Sequence, residues 1–337
     1  MSDDTIAQKH GAGGPAMRAL IEGVFVKGLG PAGAGLAAMD DGAAIPVGDR
    51  FLVLTTDSYV IKPLFFPGGD IGRLAICGTV NDLSMMGATE PLGLTCAVII
   101  EAGFPMADLE RIRDSMRAAC AEAGATIVTG DTKVMGRGEL DGIVINTAGV
   151  AFADRVVPDS GLRPGDRIIV TGTLGDHGFA IMAARHNLQL ESALASDVAP
   201  LNGLVRAALA AGGGLISAMK DPTRGGLSSA LHEMAAKGKV GIVLDEASLP
   251  VRAEVRAASE LLGIDPLHVA NEGKAVIGVR AEAADRVLQV LRAHALGRDA
   301  AIVGTCVAER AGSVILDTGF GRRLLAEPEG ELLPRIC

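Results

Sequence analysis

The sequence has no tryptophan and one tyrosine in 337 residues, while glycine appears 45 times. So few aromatic rings exclude the stacking platforms that hold single-stranded nucleic acid. Basic runs are also missing, and the net charge is -9, which excludes a role built on phosphate-backbone contacts. No apolar run approaches the ~18 residues of a membrane span. The opening MSDDTIAQKHGAGG has neither the basic nor the apolar region of a signal peptide. Cysteine is scarce: five thiols stand at 77, 96, 120, 306 and 337, widely spaced and without a CxxC pair. That argues against a disulfide framework and a structural zinc site, and predicts reduced, buried thiols in a cytoplasmic protein. The usual phosphate fingerprints are absent too: there is no GxxxxGK[ST], and no GxGxxG between a strand and a helix.

What the sequence does have is apolar bulk, 49% of its residues, enough for two domains with sizeable cores. Apolar runs predict strands at 50–58, 92–100, 126–131 and 141–153. Helical spacing predicts a long, mostly buried helix at 71–88 and a second at 106–124, stopped by Gly124. Residues 152–165, rich in turn formers, read as a hinge. Beyond it, a strand from 167 is followed by helices near 176–186, 202–211 and 224–237. Strands near 239–245, 275–280 and 299–308 alternate with further helices. This order lacks a regular βαβ rhythm, so the expected class is α+β. The expected division is a glycine-rich segment 1–40, domains 41–155 and 156–325, and an aperiodic, mobile tail 326–337.

Acidic residues recur beside Gly, Thr or Ser at predicted element ends. They are Asp40 and Asp41 in MDDGAA, Asp57 in TTDS, Asp82 in VNDLS, Asp131 in TGDTK and Asp221 in KDPTRGG. Singly, an aspartate in such a setting caps a turn. Asp82 differs, because it interrupts an apolar helix, where a carboxylate is costly unless paired or bound to a metal. Converging carboxylates suit Mg2+ shared with phosphates. Gly225 and Gly226, just before a helical run, offer backbone N–H groups to an anion. The glycine-rich HGAGG at 10–14 reads either as a flexible entry loop or as a lid over a nucleotide. His10 and His177 are weaker candidates for polar work near that nucleotide.

The last residue, Cys337, closes the segment PEGELLPRIC. Ten extended residues span about 33 Å, enough to carry a thiol from a domain edge into a cleft. Tethering would hold it there at an effective concentration on the order of mM. Pro334 restricts the free chain, and Arg335 favours the thiolate while the terminal carboxylate opposes it.

The run TTDSYVIKPLFFPGGDIGRLAICGTVNDLSMMGA, with TGDTKV, INTAG, GTLGDHG, DPTRGG, ANEGK and the terminal PRIC, closely resembles one known family along the whole chain. It is the HypE family of hydrogenase-maturation carbamoyl dehydratases, within the ATP-binding superfamily of aminoimidazole ribonucleotide (AIR) synthetase and selenophosphate synthetase. The resemblance implies a two-domain, PurM-like α+β fold whose N-terminal sheet pairs in a homodimer. It also implies ATP and Mg2+ as cofactors. HypF would load a carbamoyl group on Cys337, the enzyme would dehydrate it to a thiocyanate, and a HypC–HypD scaffold would receive the nitrile for the iron of [NiFe] hydrogenase.

The nucleotide-binding set implied is Asp40, Asp41, Asp57, Asp82, Asp131, Thr132 and Asp221 with Gly225 and Gly226; Asp41, Asp82 and Asp221 would hold the metal. Glu272 of ANEGK is the expected general base, and Lys133 would neutralise charge on the departing oxygen, against plainer readings as a turn residue and an ion pair with Asp131. The superfamily's GDDAA appears here as MDDGAA, so either Asp40 or Asp41 could face the metal. The first cysteine lies at 77, inside a helix, unlike the N-terminal Cys or selenocysteine of selenophosphate synthetases. The alternatives are an ATP-dependent ligase or kinase for a free small molecule and a non-catalytic carbamoyl carrier.

Overall fold

A computed structural model describes residues 5–11, 14–27, 38–186, 194–328 and 336–337. The first part contains helix α1 (Gly14–Leu20), strands β1 (Ala43–Val47), β2 (Arg50–Tyr59), β3 (Phe65–Phe66) and β4 (Gly69–Asp70), helix α2 (Ile71–Met85), β5 (Pro91–Glu101), α3 (Met106–Ala123), β6 (Ile127–Met135) and β7 (Ile143–Ala153). The second part contains β8 (Arg167–Val170), α4 (Asp176–Arg185), α5 (Asn202–Gly212), β9 (Ile216–Lys220), α6 (Gly226–Gly238), β10 (Gly241–Asp245), α7 (Ala253–Leu262), β11 (Val276–Val279), α8 (Ala281–Ala293), β12 (Ala301–Val307), β13 (Val314–Asp317) and β14 (Arg322–Leu324). Among the described residues no helix is long and apolar enough to cross a membrane.

The first sheet runs β1-β2-β7-β5-β6, antiparallel except for the parallel β5–β6 pair. The second is seven-stranded, β14-β13-β10-β12-β8-β11-β9. Its alternation sorts the core: Ile168 and Val170 pack with Leu227, Leu231 and Met234 of α6, whereas Ile169 packs with Leu204 of α5 and Val287 of α8. The expected α+β class and the main elements hold. The N-terminal stretch is less loop-like than its glycines suggest, because Gly14–Leu20 forms α1, with Pro15 in the first turn, where its missing N–H costs nothing. His10 lies in a 3-10 turn at Gln8–Gly11, and residues 12–13 of HGAGG fall outside the described residues.

Helix α2 joins the two halves. The Asp70 side chain caps it, accepting from Gly72 N at 2.8 Å and Arg73 N at 3.0 Å. Of its fifteen residues only Arg73 and Asp82 are not fully buried. A helix apolar on nearly every side must be enclosed on nearly every side, and α2 lies between β2, β7, α3 and α5. Gly78 lets it close on the sheet, since a Cβ there would stand 2.3 Å from the Tyr59 hydroxyl. From its far side, Asn81 Nδ2 donates to Ala199 O at 3.1 Å and Glu272 O at 3.3 Å, while Asn81 Oδ1 accepts from Leu201 N at 2.7 Å. The one partly open position near the helix's end, Asp82, is therefore directed at a cleft between the domains.

Candidate active site

Four elements bring acids to this cleft: the turn before β1 carries Asp41, β2 carries Asp57, α2 carries Asp82, and the end of β9 leads into Asp221. Thr55 ties the first and third together, donating to Asp82 Oδ2 at 2.8 Å and lying 2.9 Å from Asp41 O. Asp221 N donates to Asp41 Oδ2 at 3.4 Å, and Lys220 pairs with Asp41 Oδ1. Asp40 points elsewhere, accepting from Asp159 N at 3.3 Å and facing Lys237 at 3.8 Å. Of the Asp40–Asp41 pair, Asp41 is thus the one that faces Asp82 and Asp221. Glu272 is buried just before β11; its N–H donates to Asp197 Oδ1 at 3.0 Å, and its Oε1 has no hydrogen-bond partner.

The acids act on one another. Burial first, then Asp57, Asp221 and Asp41, raise Asp82 well above the usual carboxylate range. Burial, then Asp41, do the same for Asp221 against the opposing Lys220. Burial followed by Asp221, Asp197 and Asp57 raises Glu272 well above its ordinary value. Asp159, on the outer side of Asp40, is raised to about 7 by burial and by its hydrogen bond with Asp40.

A raised carboxyl keeps in the native state a proton that the unfolded chain has already released. Its contribution is complete below the unfolded value of 3.8 and is lost as pH climbs through the folded value, about 7 for Asp159. In EDTA the thermal midpoint is therefore expected to fall from about pH 5 to about pH 8, and Mg2+ to flatten that fall. A level EDTA profile would mean that the acids do not burden the metal-free fold.

The end of the chain lies in this cleft. Ile336 is buried among first-domain core residues, and Val60 N donates to Cys337 O at 3.2 Å. The Cys337 thiol is pushed up to about 12 by burial, opposed by Arg224 and reinforced by Glu272, Asp57 and Asp221. Within the chain the last two residues sit in this cleft, where burial disfavours the thiolate of Cys337. The stretch from Ala326 is not loose where described. Ser228 Oγ donates to Ala326 O at 2.9 Å, and Arg18 pairs with Glu327 at 2.6 Å. Pro334 and Arg335 lie outside the described residues.

Residues 39–153 match the AIR synthase related protein, N-terminal domain, and 163–317 match the corresponding C-terminal domain. The carbamoyl dehydratase HypE of Rhizobium leguminosarum bv. viciae is 49% identical, over 100% of this chain and 96% of its own. The chain belongs to the HypE family. Two solved structures agree with this. HypE in a HypE–HypF complex superposes with a TM-score of 0.87 at 45% identity, covering 92% of this chain and 100% of that one. HypE in complex with ATP gives 0.82 at 41%, covering 99% and 100%.

Within this HypE-family chain the expected site residues divide. Asp41, Asp57, Asp82, Asp221, Glu272 and Cys337 come together. Gly225 and Gly226 open α6 with left-handed φ of +76° and +62°, and a Cβ on Gly226 would stand 2.6 Å from Val269 O. Asp131, Thr132 and Lys133 do not join the cluster within the chain. They lie on β6, whose residues are exposed except the last, where Lys133 pairs with Asp131 at 3.0 Å and holds its carboxyl below the usual range. The plainer ion-pair reading describes that pair here.

Sequence reasoning passed over Arg224, Tyr59, Asp197 and the counter-ion Lys220. Lys220 and Arg224 flank Asp221 in KDPTRGG, and Tyr59, the sole tyrosine, donates to Asp57 Oδ2 at 3.3 Å. Asp197 had no local signal. Among the described residues no three His, Cys, Asp or Glu side chains are already gathered as metal ligands.

Proposed function

We propose that this protein is an ATP-dependent carbamoyl dehydratase whose substrate is its own Cys337, carbamoylated beforehand, and whose product, a thiocyanate, supplies the cyanide ligand of [NiFe] hydrogenase. The observation that carries this is the seating of Cys337 beside Glu272, Asp57, Asp221 and Arg224 in the cleft between two AIR synthase related domains. Family membership supports ATP as the second substrate.

The chemistry needs what the cleft holds. Phosphoryl transfer to the carbamoyl oxygen turns a poor leaving group into phosphate. One N–H proton leaves as the oxygen is phosphorylated, and the second as phosphate departs and the C≡N bond forms. Glu272 is the base: burial and neighbouring acids raise its proton affinity well above that of an ordinary carboxylate. Arg224 favours anionic character at the tail.

Asp41, Asp82 and Asp221 fit Mg2+, since Asp41 raises the proton affinity of the other two, Asp221 that of Asp82, and carboxylate oxygens are the hard donors this ion takes. When bound, Mg2+ would neutralise these acids and the nucleotide phosphates. Asp57, Gly225 and Gly226 complete the proposed nucleotide surface, and Asp40, engaged by Asp159 N and Lys237, stands outside it.

HypF is the proposed carbamoyl donor, as a relative forms a HypE–HypF complex. A HypC–HypD scaffold is the proposed nitrile acceptor. Cys337 is half-buried and burial raises its thiol, so loading takes place with the tail withdrawn. We further infer a homodimer closed along β6, an unpaired edge with exposed Val128 and Val134 that a second copy would cover. Asp131, Thr132 and Lys133 would then act from that interface.

The test is the mass of the last peptide. With HypF, carbamoyl phosphate and ATP it should gain a carbamoyl group, and with further Mg-ATP it should then lose one water. Cys337→Ala should fold normally and show no carbamoylation-dependent ATP turnover. A carbamoylated tail that keeps its water in the presence of Mg-ATP would leave only a carrier.

A further inference from the structure

His177 stands at the second position of α4 and is fully buried, with the Phe66 ring edge-on at 5.6 Å. Both ring nitrogens are engaged. Nε2 lies 2.8 Å from the carbonyl oxygen of Ile336, and Nδ1 lies 2.7 Å from Ser196 Oγ. A carbonyl only accepts, so Nε2 carries the hydrogen and Nδ1 must accept. Ser196 fits that requirement: its oxygen already accepts from Val198 N at 3.1 Å, which leaves its hydroxyl hydrogen for the ring. Ser196 is itself fixed, donating its N–H to Pro67 O at 2.8 Å. The tautomer is thus set by the second-domain loop, and the hydrogen it exposes is aimed at the chain's penultimate peptide.

We propose that His177, oriented by Ser196, is a positioning residue that latches the C-terminal dipeptide in the cleft and thereby sets the exchange between a seated and a withdrawn tail. This rests on the role of Cys337 as the carbamoylated substrate proposed above. The nucleotide-side role expected of His177 is replaced, because its polar atoms face the tail. The latch has two jaws: His177 on the second domain holds the Ile336 carbonyl, and Val60 on the first holds that of Cys337. The same loop also reaches the base. Asp197 accepts from the Glu272 N–H and pairs with Lys274 at 3.1 Å, and Val198 O accepts from Arg73 Nε at 2.9 Å. Seating the tail therefore engages the loop that holds the Glu272 backbone.

The experiment is maleimide labelling of the full-length protein without carbamoyl donor or nucleotide, followed by peptide mass spectrometry. Cys77, Cys96, Cys120 and Cys306 are buried and report on the fold in the same sample. His177→Ala should raise Cys337 labelling about fivefold, the factor that one net hydrogen bond represents, and Ser196→Ala about threefold, with the other four thiols silent. His177→Gln, which keeps an N–H donor, should recover part of the protection.

Labelling of Cys337 that is unchanged in the Ala variants, or that rises only together with the buried cysteines in both, would overturn the latch. With HypF and carbamoyl phosphate, His177→Ala should load faster and dehydrate more slowly, opposite signs that a loss of folded protein cannot produce. Labelling needs no carbamoyl chemistry, so its failure would count against the latch alone. Absent loading in the unaltered protein would count against the function.

Discussion

Glu272→Gln is expected to accept a carbamoyl group at the normal rate and to form thiocyanate about 100- to 10,000-fold more slowly, the range that a positioned base contributes. The substitution keeps the shape and the backbone contacts that hold residue 272: its N–H on Asp197, its carbonyl beneath Asn81. What it removes is the basic carboxylate, whose Oε1 is buried without a partner. Burial beside Asp221, Asp197 and Asp57 burdens the charged form, and an uncharged amide of the same shape lifts that load, so the variant should also melt higher than the parent. The two effects separate a base from a structural acid, since a structural acid would lose stability on replacement. Single-turnover mass spectrometry of the loaded tail reads the rate. Water loss at the parent's rate would take the role away from Glu272.

Asp82→Asn should likewise move stability and turnover in opposite directions. Asp82 sits on an otherwise enclosed helix and is pressed by burial and by three neighbouring acids. Without a cation, the amide relieves that pressure and retains the Thr55 hydrogen bond, for a gain of about 1–3 kcal/mol. With Mg-ATP present, the parent gains a thermal shift that the variant lacks, and turnover falls by about 100-fold or more. Paired melting curves with EDTA and with Mg-ATP decide it. An Mg-ATP shift of parental size in Asp82→Asn would remove this carboxylate from the nucleotide site.

Much of the fold was legible because period and punctuation agree locally. The end of α3 at Gly124, left-handed at φ 65°, follows directly from the residue type. Edges were harder. β1 contains Pro46 and exposed residues, and β14 is three exposed residues long, so neither shows an alternating apolar face. At the site, the acids were legible as turn-flanked aspartates, but that signature says how the backbone bends and not where sheet order places it. Asp57 and Asp131 have the same local setting. β2 lies inside its sheet against α2, whereas β6 is an edge, and only the first of the two acids meets the others. The latch was not legible at all, because His177 and Ile336 are 159 positions apart and the tail has no periodicity. The counter-ion Lys220, by contrast, is adjacent to Asp221 in the chain, but a lysine at a strand end has no local mark that sets it apart from a solvated one.

Asn81 has a bearing on protein engineering. It is one residue from Asp82, yet all three of its hydrogen bonds end on backbone of the other domain, including the carbonyl of Glu272, the proposed base. A chimaera that exchanges one domain for a relative's must therefore preserve this amide and the three main-chain atoms it grips. Grafting at the 153–163 boundary without them would yield two sound halves whose acid and base no longer share a common frame.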